Sequence, residues 1–197
     1  MLRNIFNNFF RQKSKPPLGF GQFCLRSTVE LPVSGDEALL VSRYGLDCKP
    51  YNEEYTDITW ENCDLQKWLN NDFLKEAFSG EERERIKLSE VVNDDNRKYG
   101  PRGGNNTRDR VFCLSLAEAE QYFKNDSERR CQPTAVAKAH GAYVSDDGYC
   151  WWWLRSPGHN QRSASYVGTD GALHPGGHYV SSVNRAVRPA LRLIWNL

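Results

Sequence analysis

The chain has 197 residues, of which 39% are hydrophobic and 12% aromatic, and its formal net charge is +1. This length fits one domain, and the apolar fraction is large enough to form a core. The near-neutral charge gives no general attraction to nucleic acid or acidic membranes, and no stretch approaches the ~20 apolar residues of a membrane span.

The first 17 residues differ from the rest of the chain. Apolar residues recur there at helical spacing with arginine and asparagine between them, and Pro16 and Pro17 end any helix. We expect an amphipathic segment over residues 1–17 that docks on its own domain or on a partner. Contact of residues 1–15 with a membrane surface, or a disordered tail, are the alternatives. Because no continuous apolar run typical of a secretory signal is visible, a cytoplasmic or phage-associated location is expected.

The next strong patterns are a strand and a long helical segment. Residues 37–46, EALLVSRYGL, predict a buried strand. Residues 61–90 predict helix, with Asn62 or Asp64 as the expected N-cap. One apolar stripe along that segment is formed by Leu65, Trp68, Leu69, Phe73 and Leu74.

Two pairs of residues predict where further helices begin. Ser79 with Glu82, and Ser115 with Glu118, have the spacing of a capping box, in which each side chain bonds to the backbone N–H of the other residue. Between them, residues 110–116, RVFCLSL, predict a strand.

The C-terminal part predicts a sheet. Residues 148–155, GYCWWWLR, predict a strand with bulky residues on both faces, which therefore lies centrally in the fold. Short alternating pieces follow Pro157, and Asp170-Gly171 is the clearest hairpin turn. Helices in the middle and strands at the end indicate an α+β architecture, with two or more helices packed on a twisted antiparallel sheet and long loops.

Six cysteines are present, and none forms a C-x-x-C pair. We expect them to be reduced and mostly buried, because no secretory signal is predicted. They are Cys24, Cys48, Cys63, Cys113, Cys131 and Cys150. Cys150 with His140 is an alternative nucleophile and base, but no nucleophile elbow, H-E-x-x-H motif or phosphate loop accompanies them.

Three groups of residues have ligands that metals accept. His174 and His178 are four apart, but Pro175-Gly176-Gly177 between them exclude a regular helix. The acidic runs at 93–95 and 145–148 do not follow a calcium-loop pattern and fit turns better. We therefore expect no catalytic residue, no metal site and no cofactor.

Four segments of the chain resemble a bacterial and phage domain family. They are residues 59–86, 110–123, 151–158 (WWWLRSPG) and 187–194 (VRPALRLI). The signature W-L-R-S-P-G, a D-G turn and V-R-P-A-L is similar to that of the variable proteins of diversity-generating retroelements. The resemblance implies a C-type-lectin-like fold over residues 18–197, on which a variable region at about residues 155–186 binds a ligand.

In those retroelements an error-prone reverse transcriptase randomises adenines at the 3′ end of a gene. An asparagine codon, AAY, then becomes N-N-Y, which cannot encode Lys, Glu, Gln, Met or Trp. Gln161 is the only such residue between His159 and Ala186, although about a fifth of the remaining chain belongs to these five types. The composition of this window is therefore the one that such mutagenesis leaves.

The resemblance divides the window into two interleaved sets, and residues typical of antibody paratopes dominate the first. The expected variable, ligand-binding set is His159, Asn160, Arg162, Ser163, Tyr166, Gly168, Thr169, Ala172, His174, Pro175, Gly176, His178, Tyr179, Ser181, Ser182, Asn184 and Arg185. The expected scaffold set is Gln161, Ala164, Val167, Asp170, Gly171, Leu173, Gly177, Val180 and Val183. Variable residues should be exposed, with Tyr166, Tyr179, Arg162 and Arg185 as the energetic hot spots.

These observations favour a non-enzymatic ligand-binding protein whose ligand is a protein or another macromolecule, not a nucleic acid. Arg155 and Arg188 are expected to bond to loop carbonyls inside the domain. Formylglycine-generating enzymes share the superfamily but need C-terminal cysteines, and no cysteine follows Cys150 here. A calcium-dependent lectin would need loop motifs that are missing, whereas metal-independent carbohydrate binding remains an alternative.

Overall fold

The computed structural model describes residues 23–24 and 37–194. The predicted amphipathic segment 1–17 and its membrane contact lie outside the described residues. The strands are β1 Phe23–Cys24, β2 Glu37–Ser42, β3 Asp47–Cys48, β4 Ser89–Val91, β5 Thr107–Asp109, β6 Val111–Phe112, β7 Trp152–Pro157, β8 Ser163–Val167, β9 Leu173–Tyr179, β10 Ala186–Val187 and β11 Ala190–Ile194. The helices are α1 Asp64–Trp68, α2 Leu74–Ala77, α3 Gly80–Arg85, α4 Leu116–Tyr122, α5 Asp126–Arg129 and α6 Ala135–Ala139. The predicted α+β architecture is confirmed.

The first sheet brings the two ends of the described domain together. Its order is β1-β2-β11-β6, and β2 pairs antiparallel with β11, with Ala190 opposite Val41. The predicted strand at 37–46 is confirmed over Glu37–Ser42. Its apolar residues are all buried, as expected for a strand covered on both faces.

The second sheet carries the C-terminal half and has the order β3-β10-β7-β8-β9. Its central strand is β7, so the central position predicted for the WWWLR segment is confirmed. Trp152, Trp153 and Leu154 have no exposed surface. From this buried strand, two antiparallel pairings lead outward through β8 to β9 at the edge. A third sheet is formed by β4 and β5.

Hydrogen bonds between residues close in sequence determine where three of the helices begin. Both predicted capping boxes are present, at the starts of α3 and α4. The predicted N-cap at Asn62 or Asp64 is wrong. Asn62 ends a 3₁₀ turn and Asp64 is already helical, so the Sγ atom of Cys63 accepts the capping bond from the Gln66 N–H at 3.4 Å.

The predicted helix over 61–90 is also shorter and less regular than expected. A π-helical turn, Leu69–Phe73, joins α1 to α2, and helix ends at Arg85, before the strand β4. The apolar stripe is nevertheless confirmed, since Trp68 is half-buried and its other members are buried. The predicted strand at 110–116 is reduced to Val111–Phe112, because Ser115 already caps α4.

Two arginines fasten loops to the core, as predicted. Arg155 donates to the carbonyls of Val92 and Cys113, at 2.8 Å and 2.9 Å, and pairs with Glu118. Arg188 donates to two other carbonyls, those of Ser42 and Arg129, each at 3.0 Å. Each guanidinium is buried yet bonded, which is the condition for tolerating a charge in a core.

Five cysteines belong to the described part of the chain, and all of them are buried free thiols. Burial raises the pKa of Cys48 to about 11 and that of Cys63 to about 12. The expectation of reduced, buried cysteines is thus confirmed for these five, while the side chain of Cys24 is not described. No helix in the described ranges has the length and apolar character that crossing a bilayer requires.

Candidate ligand-binding surface

The predicted variable residues lie on β8, β9 and the loops beside them, which we call the β8–β9 surface. Fourteen of the seventeen are exposed or half-buried, so most of the set is accessible to a ligand. The expected exposure is wrong for Ser163, Gly168 and Arg185, which are buried.

Ser163 and Gly168 are confined by neighbours that are close in sequence. The Oγ of Ser163 donates to the Asn160 side chain within a tight turn, where the Gly158 N–H bonds to the Ser163 carbonyl at 2.6 Å. A Cβ added at Gly168 would lie 2.4 Å from Oδ1 of Asp170. Any side chain at Gly168 therefore requires Asp170 or His174 to move, and a residue without a hydroxyl at Ser163 loses the bond to Asn160.

Two valines of the scaffold set are buried, and a third is exposed. Val167 and Val180 are buried, as predicted, but Val183 is 65% exposed because it lies in the loop after β9. Gly171 and Gly177 have φ values of 89° and 69°, and an added Cβ would contact a carbonyl oxygen at 1.8 Å and 2.5 Å respectively. Glycine is required at both positions, Gly171 in the turn before β9 and Gly177 within β9.

A row of four rings crosses the sheet next to this surface, and we call it the aromatic row. Tyr143 stacks on Trp151 with ring centroids 4.0 Å apart, and Trp151 meets the edge of Tyr166 at 6.4 Å. Tyr166 in turn stacks on His174 at 4.5 Å, because their strands pair with these two residues opposite each other. Such contacts hold the rings in place.

Arg185 lies beneath the row and is not a surface contact. Its guanidinium carbon is 4.4 Å from the ring centroid of Tyr166, 4.8 Å from that of Trp153 and 5.2 Å from that of Trp151. Its Nη1 donates to the Asn184 side chain, while its Nε has no hydrogen-bond partner among the described residues. Burial lowers its pKa. The predicted hot spot therefore acts by supporting the rings from below.

A second cluster lies at the far end of β9. Tyr179, 52% exposed, packs edge-on against Tyr55 at 5.1 Å. Arg162 lies over the Tyr55 ring at 5.6 Å and its Nε donates to Asp57 at 2.8 Å, which raises the pKa of Arg162. His178 lies between this cluster and Arg185. Its ring centroid is 5.2 Å from that of Tyr179, and its pKa is lowered by burial and by the positive charge of Arg185.

Sequence reasoning missed three of these contributors. Tyr55 and Asp57 belong to a polar connection with no pattern of its own, and Tyr143 is a single aromatic residue in a turn. Tyr55 and Asp57 meet Tyr179 and Arg162 from more than 100 residues away in sequence, so a local pattern had no signal for them. Tyr143 stacks on Trp151, eight residues away, across a turn whose fold the sequence did not predict.

Residues 35–195 match a family model described as a domain of unknown function, DUF6273. The chain belongs to the DUF6273 family. No curated protein matches the chain, and no solved structure does. The DUF6273 match spans both signature segments and the whole β8–β9 surface, so the matched domain includes the surface as well as the core beneath it.

Two clefts of this DUF6273 domain have no predicted variable residue in their lining. The arginine cleft, of about 320 Å³, is lined by Val41, Ser42, Arg43, Tyr44, Arg130, Gln132, Tyr149 and Arg188. The Trp68 cleft, of about 500 Å³, is lined by Lys49, Pro50, Glu53, Asp64, Leu65, Lys67, Trp68, Asn71 and Asp72. No predicted variable residue lines either cleft, although the Thr169 carbonyl accepts a hydrogen bond from Nε of Arg130 at the arginine cleft.

The described residues contain no group of three His, Cys, Asp or Glu side chains placed to hold a metal ion. The two acidic runs serve turns, since Asp95 accepts from the Gly103 N–H and Asp147 pairs with Arg130. The alternative nucleophile Cys150 is fully buried, and hydrogen bonding with Cys131 and burial raise its pKa. The Nδ1 atom of its suggested base, His140, instead lies 2.5 Å from Oδ1 of Asp47.

Proposed function

We propose that this DUF6273 chain is a non-enzymatic binding protein whose β8–β9 surface is diversified to recognise a macromolecular ligand. The observation that carries the proposal is the accessible cluster of Tyr, His, Arg, Asn and Ser side chains on β8 and β9, drawn from the residue types that N-N-Y codons encode. Buried anchors such as Val167 and Val180 alternate with these residues. Side chains can then change while the strands stay in place.

The finer fold that we propose is C-type-lectin-like. In its favour, the strands β2 and β11 pair and bring the two ends of the domain together. The chain between them makes the second sheet and the long loops around it. A scaffold closed at its ends can present a loop-rich face without the face contributing to closure.

The shape and chemistry of the surface favour a macromolecule over a small molecule. The variable residues lie on β8, on the edge strand β9 and on the loops beside them, and none of them lines either described cleft. Aromatic rings fixed by stacking, with adaptable Ser, Asn and His side chains between them, suit flat interfaces such as those of antibodies. The exposed rings of the set are those of His159, His178 and Tyr179, and the stacked rings of Tyr166 and His174 are half-buried.

The decisive experiment is to sequence the 3′ end of the gene and the DNA that flanks it. We expect codons ending in C or T at the exposed variable positions, and a nearby second copy of the segment with adenines where the gene differs, beside a reverse-transcriptase gene. Codons ending in A or G at most of these positions, with no second copy, would show that the surface is an ordinary solvated one.

A second candidate function is metal-independent carbohydrate binding, which the Trp68 cleft favours. An indole face flanked by Asp64, Asn71 and Asp72 offers stacking and hydrogen bonds to a sugar ring. Lys49 Nζ already lies 4.8 Å from the centroid of the Trp68 ring and must move aside for a sugar to stack. Titration with cellobiose, observed at the indole N–H resonance of Trp68, tests this function, and an unchanged resonance rejects it.

A further inference from the structure

The arginine cleft contains an unusual concentration of positive charge. Arg43, Arg130 and Arg188 line it, together with Gln132, and no acidic residue does. The volume of about 320 Å³ is at the lower end of the range for small-molecule sites. Every lining residue lies outside the window from His159 to Ala186, so diversification of that window replaces no lining side chain, and the hydrogen bond from Arg130 to the window is to the Thr169 backbone carbonyl.

Arg188 is the fixed charge at the base of the cleft. It is 2% exposed, and its Nε and Nη1 donate to the backbone carbonyls of Ser42 and Arg129. Among the described residues, no carboxylate forms an ion pair with it. Carbonyl dipoles orient the guanidinium but do not neutralise it, so its potential extends into the cleft.

The two other arginines are held at the walls by tyrosine rings. The guanidinium carbon of Arg130 lies 3.6 Å from the ring centroid of Tyr149, and its Nε donates to the Thr169 carbonyl at 3.0 Å. The corresponding distance from Arg43 to Tyr44 is 5.6 Å. Stacking leaves the edges of a guanidinium, where its N–H groups are, available for ligands.

One carboxylate does compete at the rim. Asp147 pairs with Arg130 and also accepts from the Ser145 hydroxyl at 2.5 Å, while 59% of its side chain is exposed. Arg130 is therefore partly neutralised, whereas Arg43 and Arg188 have no ion pair with another described residue. The cleft keeps a net positive charge.

From this arrangement we infer that the arginine cleft binds the oxyanion, carboxylate or phosphate, of a small molecule. Guanidinium groups present paired N–H donors that match both anions, and a site with fixed donors loses little entropy on binding. This site is independent of the proposed function of the β8–β9 surface, because the two share no lining residue.

The test is an NMR titration of the full chain at constant ionic strength, with sodium acetate, sodium glucuronate and inorganic phosphate as probes and glucose as the neutral control. We expect the side-chain Nε–H resonances of Arg188 and Arg130 to shift with the anions and not with glucose. Tighter binding of acetate and glucuronate would assign a carboxylate ligand, and tighter binding of phosphate a phosphate ligand. Unshifted resonances at about 10 mM of every anion would overturn the inference.

Two matched variants separate a site from a general charge effect. Asp147→Asn frees Arg130 and should tighten anion binding about two- to fivefold, the range for releasing an exposed ion pair. Asp146→Asn changes the net charge equally at the neighbouring exposed position, which does not line the cleft, and should leave affinity unchanged. Equal tightening in both variants would show non-specific attraction and reject the site.

Discussion

The strand β7 and the β8–β9 surface place the same residue type in the core in two different ways. Arg155 on β7 and Arg185 after β9 are 3% and 1% exposed. Arg155 bonds to two backbone carbonyls and to Glu118, whereas the hydrogen-bond partners of Arg185 are the side chains of Asn184 and Tyr166, and it otherwise lies against ring faces. Hydrogen bonds to backbone carbonyls hold Arg155 on β7, whereas packing against aromatic rings holds Arg185 under the β8–β9 surface.

This difference separates positions that can vary from positions that cannot. A carbonyl that loses its buried donor pays for desolvation without compensation, so the partners of Arg155 are tied to arginine. A guanidinium against ring faces has no comparable requirement from its neighbours, and an apolar side chain of similar volume fills the same space. We therefore expect β7 to tolerate fewer substitutions than the β8–β9 surface.

The largest expected effect is that of Arg155→Met. The change strands the carbonyls of Val92 and Cys113 and leaves Glu118 without its cation, so the free energy of unfolding should fall by about 3–5 kcal/mol. Urea denaturation measures it, with the exposed Arg108→Met as control. A loss equal to that of the control would mean that β7 is not specified by these bonds.

A smaller loss is expected where the long polar loop joins the surface. The Nδ2 of Asn96 donates to the carbonyls of Pro157, Gly158 and Pro175, at 2.8–3.0 Å. Asn96→Ala should lower the free energy of unfolding by about 1–3 kcal/mol. The exposed Asn71→Ala, which loses one bond to the Lys67 carbonyl, is the control. Equal losses from both variants would deny the loop any role in holding the surface.

Arg185→Met should have little effect or a stabilising one, because methionine fills the space under the rings and removes a charge with an unbonded Nε. We expect a change of less than about 1 kcal/mol in either direction, measured by the same urea denaturation. A loss as large as that of Arg155→Met would remove the contrast between the two regions.

Tyr179→Ser tests the exposed end of the surface. The ring is 52% exposed and contacts Tyr55 by its edge, so we expect a loss of about 0.5 kcal/mol in thermal or urea unfolding. The matched variant in the core is Tyr51→Ser, which removes a 2% exposed ring whose hydroxyl donates to the Arg155 carbonyl at 2.8 Å. Similar losses from the two serine variants would contradict the assignment of Tyr179 to a replaceable surface.

The smallest expected effect is a pH dependence from His178. Its pKa in the folded chain is lowered by burial and by Arg185, so below the unfolded value of about 6.5 the unfolded chain binds the proton first. Stability should therefore decline as the pH falls from about 6.5 towards the folded pKa, and His178→Asn should remove that part of the decline. An unchanged decline in the variant would assign it to other groups.

Short-range chemistry made some of the fold predictable. Ser79 with Glu82, and Ser115 with Glu118, are three residues apart, and their capping boxes formed where the spacing predicted them. Cys63 was missed as an N-cap because thiols rarely cap helices, and only the preceding 3₁₀ turn placed its sulfur beside the Gln66 N–H.

Long-range packing decided the rest of the surface. Arg162 and Arg185 were both expected to be exposed, yet only Arg162 is, beside Asp57. Arg185, which precedes the apolar pair Ala186 and Val187, is buried under Tyr166, Trp151 and Trp153. Val183 was expected to be buried because it is apolar. It is exposed because the loop after β9 does not pack on the core at that position.

The amino-acid sequence by itself determined the apolar strands, the helix starts, the buried roles of Arg155 and Arg188 and the restricted composition between His159 and Ala186. The strands, the helix starts and the arginine roles follow from local bonding and from the burial of apolar runs, and the composition is a property of the chain itself. Only the tertiary structure decided which members of that window reach solvent and where the arginine cleft forms. The reason is that both depend on side chains brought together from distant segments, and no local pattern encodes those contacts.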